Sequence, residues 1–264
     1  MNILDTEFFS IFKKKYLYLA YFLARLDFKL RYRRSLLGPV WVTLTTGLLI
    51  FCISLIFGRY VKIDYELMVP HIALGIIFWN FISSNLTDSC NSLINSQNLI
   101  NQVRIPYLVY IVKTLIGNII IFLYNFFIIL FVILIYYKKL DFSFPFFFLG
   151  FTILCLNLFW MMTIISFMNL RFRDINPLIQ NLIQILFYMT PIIWVKELIT
   201  FDPLVEIFLS LNLFSYFIDI TRVPLMNKAF FISTLNIPLI TLIIGISFTV
   251  YFIEKNKKRV HFWF

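Results

Sequence analysis

Arg31-Tyr32-Arg33-Arg34-Ser35-Leu36-Leu37-Gly38-Pro39-Val40-Trp41 decides how the rest of the chain is read. Upstream of this stretch the sequence is basic and amphipathic. Downstream an uncharged run begins at once and continues over residues 35–58. Lys and Arg accumulate on the cytoplasmic side of membrane spans, so the junction marks an internal N-terminal segment and the start of a first span.

The composition agrees with membrane residence. The chain of 264 residues is 61% hydrophobic and 20% aromatic but only 14% charged, against about 25% charged in soluble domains. A net charge of +10 could suggest nucleic acid. That reading needs a solvated basic surface, whereas these basic residues lie between apolar runs and suit topology and anionic lipid. Cys52, Cys90 and Cys155 are far apart and match no metal or redox spacing, which leaves them as reduced packing residues. Lys13-Lys14-Lys15 precedes a short apolar run, but no small-residue cleavage site follows and charge returns at Arg25. The segment is read as retained.

Six runs are long enough to cross a bilayer of about 30 Å: residues 35–58, 67–87, 114–137, 142–170, 175–195 and 229–253. Runs of this length are helices, because only helices and closed barrels satisfy the backbone in lipid. The run 207–218 is too short to cross and suits a re-entrant or interfacial pair. With the N-terminus inside, fifteen Lys and Arg fall on the cytoplasmic side and seven outside, with Lys113 near the inner end of the third span completing the twenty-three. Arg222 is among the outer seven. Both termini are therefore expected in the cytoplasm. From Lys14 to Arg34, Leu19, Leu23, Leu26 and Leu30 recur at helical spacing, with Arg25 and Lys29 on another face. That pattern predicts a helix lying in the interface.

The expected fold is an all-α polytopic membrane protein. It has an interfacial helix over 1–34, six spans within 35–253, a re-entrant region over 197–228 and a cytoplasmic tail over 254–264, all in one domain. The polar segment 88–106 has room for a helix and ends at Pro106.

Several chemistries lack their residues. The seven glycines include no phosphate-loop spacing, so ATP cannot be held by that route. The spans contain no Asp or Glu, which argues against a proton or sodium relay. No paired carboxylates, Ser-His-Asp set or metal cluster is present, which counts against a membrane-embedded glycosyl or acyl transferase. His71, near the outer end of span two, reads as an interfacial residue. Neutral polar and aromatic side chains remain. Gln180, Gln184 and Tyr188 form a stripe on span five, with Trp194 near its outer end. Span three offers Asn118 and Asn125, and span two Asn80 and Ser84. These side chains can bond helix to helix, or line a path for a hydroxyl-rich neutral substrate. Spacing alone supports both uses equally.

The motifs then bear comparison with a family. The Arg31–Trp41 junction, Gly75 with Trp79 and Phe81, Gly117-Asn118-Ile119-Ile120-Ile121-Phe122 with Asn125, Arg171-Phe172-Arg173-Asp174-Ile175, Thr190-Pro191-Ile192-Ile193-Trp194, and Asn212 with Arg222-Val223-Pro224-Leu225 occur in order. The chain resembles the transmembrane subunit of a type-2 ABC exporter for cell-surface polysaccharide, of the O-antigen, capsule and teichoic-acid group. The resemblance runs from about Arg31 to the last span, and Leu213 stands where the family usually has Pro.

The resemblance implies a homodimer in the bacterial inner membrane with a pore at its interface. Two copies of a separate ATPase would dock at the cytoplasmic face and carry the ATP and Mg, leaving this chain without a catalytic site or cofactor. The substrate would be a glycan on undecaprenyl diphosphate. Arg31, Arg33, Arg34 and Arg104 are candidates for its diphosphate, because Arg forks match phosphate oxygens; the same residues also serve positive-inside topology and anionic lipid. Leu37 and Gly38 would form the pore-entrance loop. Gln180, Gln184, Tyr188, Trp194, Asn118 and Asn125 would line the path, and Arg171, Arg173 and Asp174 form the short cytoplasmic loop. Phe51, Phe57 and Tyr60 would add an aromatic lining near the outer mouth, or belong to an ordinary interfacial belt. The segment 88–106 would serve as gate and coupling helix. Teichoic acid, a drug or a small lipid are alternative cargoes within the same fold.

Overall fold

The computed structural model describes residues 11, 13–60, 65–103, 105–195, 203–227, 231–256, 260 and 263. Among these the chain is helical, with one isolated bridge between Asp141 and Asn227. In chain order the helices are α1 (Lys14–Arg31), α2 (Val40–Tyr60), α3 (Tyr65–Ser92), α4 (Gln97–Gln102), α5 (Leu108–Tyr136), α6 (Phe144–Arg171), α7 (Ile175–Met189), α8 (Pro203–Ser210), α9 (Leu213–Met226), α10 (Phe231–Thr234) and α11 (Asn236–Asn256).

Every expected span contains a helix, but the boundaries move. Four helices, over Glu66–Ser92, Leu108–Tyr136, Phe144–Arg171 and Ile232–Asn256, are long and apolar enough to cross a membrane. The first run becomes helical only at Val40, because Ser35 to Pro39 form a turn. The second continues past residue 87 to Ser92, so the polar segment 88–106 begins inside a helix. A 3-10 turn, Ile94–Ser96, and the short α4 follow. The fifth run departs most. Its helix stops at Met189 after 15 residues, about 22 Å of axial rise. Residues 190–195 continue without helix.

α3 is the central post. Its residues 71–79 are buried all round, packed by α5, α6, α9 and α2. This explains why it is the least apolar of the four long helices: it faces protein on every side, so small and polar residues can sit where a lipid-facing helix needs large apolar ones. At the end of the bundle that carries α1, Ser92 Oγ meets Ser166 Oγ at 2.9 Å. There Ser166 also donates to the Ser89 carbonyl at 2.7 Å, and Asn169 Nδ2 donates to the Cys90 carbonyl at 2.8 Å. Small hydroxyls let α3 and α6 approach closely and supply bonds that lipid cannot. Asn157 does the same between α6 and α11, donating to the Pro238 carbonyl at 3.0 Å and accepting from Thr241 at 3.1 Å.

α1 packs along α5 through Ala20 and Ala24, both fully buried, with Leu19 and Leu23 beside them. Of the four leucines that the sequence marked as one apolar face, Leu26 and Leu30 face outward with Tyr18, Tyr21 and Phe22. The small residues permit the close approach. The large outward ones, interleaved with exposed Arg25 and Lys29, suit a helix that touches both protein and lipid.

Candidate functional site

The opening junction forms a tight turn between α1 and α2. Ser35 Oγ accepts from the Gly38 N–H at 3.0 Å, and Gly38 takes φ +56°. Left-handed backbone costs a residue with a Cβ about 1–2 kcal/mol, so glycine suits this position. Leu36 and Leu37 project outward at the turn. Arg33 and Arg34 are exposed beside it. Arg31, on the last turn of α1, is also exposed and lines a cavity. Arg104 lies outside the described residues, as do the side chains of Phe57 and Tyr60 and parts of the re-entrant region and the tail.

The cavity, of about 180 Å³, lies between α1, α3 and α5. Asp27, Arg31, Asp88 and Lys113 line it, with amide groups from Asn95 and Asn118. Lys113 Nζ pairs with Asp27 at 2.8 Å and reaches Ser96 Oγ at 3.4 Å. Thus Lys113, placed by the sequence near the inner end of span three, faces inward and pairs with α1.

Asn80, Ser84, Asn118 and Asn125, singled out by spacing on two spans, do come together. They line a second cavity of about 130 Å³ between α2, α3 and α5, together with Thr46. Asn118 Nδ2 donates to Asn85 Oδ1 at 3.3 Å, which places it in helix-to-helix bonding. Asn125 is buried, and its Oδ1 has no hydrogen-bond partner.

Gln180, Gln184 and Tyr188 are elsewhere. They share one exposed face of α7 with Leu178, Leu182 and Ile185, and Ile183 is the buried residue of this helix. Gln180 bonds only along its own helix, to Asn176 at 3.0 Å. The candidate lining therefore divides into a buried asparagine set and an outward glutamine stripe. Much of α2 is likewise outward, through Trp41, Leu44, Leu48 and Phe51. In the short loop, Arg171 stacks over Phe172 and Trp263, which brings the tail onto the loop. Arg173 and Asp174 are exposed.

At the far end of the bundle, a cluster whose contacts sequence reading missed joins three segments: α3, the stretch after α7, and α9 with its cap. Arg222 on α9 is buried, although the sequence placed it among free outer charges. Its Nη2 meets Asp219 Oδ1 at 2.6 Å, and its Nη1 donates to the Pro191 carbonyl at 2.8 Å and to His71 Nε2 at 2.9 Å. His71 is buried as well. Asn212 completes the clasp. Its Nδ2 donates to Thr190 Oγ1 at 2.9 Å while its Oδ1 accepts from the Phe214 N–H at 3.1 Å, capping α9. Leu213 in place of Pro does not disturb the turn, because the first helical position needs no particular donor once the cap is made. The i to i+3 spacing of Asp219 and Arg222 was the available signal.

Four helices of membrane-spanning length and composition, packed around a buried post, define an all-α polytopic membrane protein. The sequence pattern of the ABC-2 type transporter family matches residues 18–226, and the chain belongs to that family. It is a transporter membrane subunit. Among curated proteins, two O-antigen export system permease proteins RfbA of Klebsiella pneumoniae are similar. They are 25% and 24% identical over 196 residues, covering 70% of this chain and 74% of theirs.

Proposed function

We propose that the chain is the permease subunit of an exporter for an undecaprenyl-diphosphate-linked, O-antigen-like polysaccharide. Two copies form the pore in the inner membrane, with both termini cytoplasmic, and a separate ATPase drives it. The relatives' names support the cargo class. The observation that carries the reading is the outward stripe of Gln180, Gln184 and Tyr188 on α7. Amide groups turned to hydrocarbon are costly, so intramembrane polar side chains face a bundle interior or a hydrated path. A second copy set against α7 and α2 covers this face and turns the amides toward a glycan. Sugar hydroxyls bond amides, and aromatic faces pack on pyranose C–H groups.

In this reading Arg33 and Arg34 meet the carrier's diphosphate at the pore entrance beside Leu37 and Gly38. Arg104 completes the basic group, while Arg31 turns to the cavity between α1, α3 and α5. The segment 88–106 with α1 couples to the ATPase, and motion there passes to α2 and α7 as rigid-body displacement. The test is deletion of the gene. Surface polysaccharide should disappear while lipid-linked glycan accumulates in the inner membrane. Surface glycan at the parental level after deletion would overturn the reading.

A further inference from the structure

The cavity between α1, α3 and α5 holds two cations and two carboxylates, and only half of them are matched. Asp27 and Lys113 neutralise each other at 2.8 Å. Arg31 and Asp88 line the same space and form no ion pair among the described residues. We propose that this cavity is a binding site for the phosphoethanolamine headgroup of a membrane lipid, with the phosphate on Arg31 and the ammonium on Asp88.

Charge arithmetic selects the ligand class. A lone anion, such as a diphosphate, would leave Asp88 unmatched and would bring its own charge toward two carboxylates. A lone cation would leave Arg31 unmatched. A zwitterion satisfies both, and charge-assisted bonds to each end are the stronger kind. Asn95 and Asn118 can supply neutral bonds to the phosphate oxygens or the ammonium. Choline fits less well: its methylated nitrogen donates no hydrogen bond, and Phe28 is the only aromatic residue in the lining, so no aromatic cage is present.

Size and position agree. At about 180 Å³ the cavity is smaller than the roughly 300–1,000 Å³ that drug-sized ligands occupy, which suits a headgroup whose acyl chains stay outside. The helix carrying Asp27 and Arg31 also turns Tyr21, Leu26 and Leu30 outward, an apolar surface against which acyl chains can lie. Amphipathic helices of this kind sit at headgroup depth. The site is independent of the cargo, so the proposal stands apart from the export reading.

The experiment titrates the purified, delipidated full-length chain in detergent with phosphatidylethanolamine, phosphatidylglycerol, phosphatidylcholine or free phosphoethanolamine. Thermal unfolding and native mass spectrometry are the readouts. Phosphatidylethanolamine should raise the unfolding midpoint above the other two lipids and remain bound at one molecule per chain. Asp88→Asn and Arg31→Gln should each weaken it by about tenfold, the loss expected for one charge-assisted contact, with lipid-free midpoints unchanged. Asp88→Glu should keep the preference. Equal stabilisation by phosphatidylglycerol overturns the proposal, as does wild-type binding by the double variant. Loss of the preference in Asp88→Glu assigns the effect to packing and also overturns it. Free phosphoethanolamine should not match the lipid; if it does, the ligand is a soluble molecule and the lipid assignment fails.

Discussion

Arg222 is the residue whose loss the far end of the bundle can least absorb. Its planar fork serves Asp219, the Pro191 carbonyl and His71 at once. Arg222→Gln strands a carboxylate and a buried carbonyl. Breaking a buried pair costs about 3–5 kcal/mol, and the lower end applies because Asp219 keeps 26% exposure. Thermal unfolding in detergent should show a clear fall in midpoint, with Arg222→Lys only a partial rescue, because an ammonium lacks the fork. An unchanged midpoint for Arg222→Gln would deny the clasp any weight. Gly75 offers a second check. A Cβ there would lie 2.8 Å from the Ile192 carbonyl oxygen. That backbone is fixed by its neighbours in the clasp, so Gly75→Ala should destabilise by about 1–3 kcal/mol. Gln184→Leu belongs to the other class. The residue is exposed on a single chain, so the substitution should leave expression and assembly intact and reduce export, measured as surface polysaccharide. Full export would return the residue to packing.

Among the elements, the turn from α1 to α2 carries the sharpest prediction. Replacing Arg33 and Arg34 together by Gln should leave folding and ATPase association intact but stop surface glycan, because both side chains are exposed and bond nothing that holds the turn. Normal surface glycan in that double variant would rule out a diphosphate role for the pair. The turn also shows what a sequence can disclose about elements. Charge and length located α1 and all six apolar runs, because the penalty for unpaired backbone in lipid is large and local. The side of α1 that packs on α5 was not legible. Hydrophobic periodicity marks Leu26 and Leu30, but in a membrane large apolar residues go to lipid and small ones to the protein contact, so Ala20 and Ala24 mark the packed side. The same inversion hid Ser89, Ser92, Ser166 and Asn169, whose polar contacts join α3 to α6. No one-dimensional pattern pairs residues 77 positions apart.

For the whole molecule, the proposed two-copy pore sets a second copy against the outward face of α7. With Cys52→Ser as background, single cysteines at positions 178, 182, 185 and 188 should form disulfide-linked dimers in native membranes under mild oxidation, with helical periodicity. No cross-link at any of the four would leave the face to lipid and remove the support for a two-copy pore. The candidate site was legible in part for a reason of the same scale. Residues that share one helix, such as Asn118 and Asn125 on α5, leave a local trace of spacing. Residues that act between elements far apart in sequence, such as Arg222 and His71, leave almost none. A final consequence follows from the early stop of α7 at Met189. Its 15 residues rise about 22 Å, less than the about 30 Å hydrocarbon depth of a bilayer. In the proposed two-copy exporter, the partner and the cargo path meet this short wall in place of full-depth lipid. The apolar barrier is then shallowest along the glutamine stripe, which shortens the stretch that the proposed cargo crosses out of water.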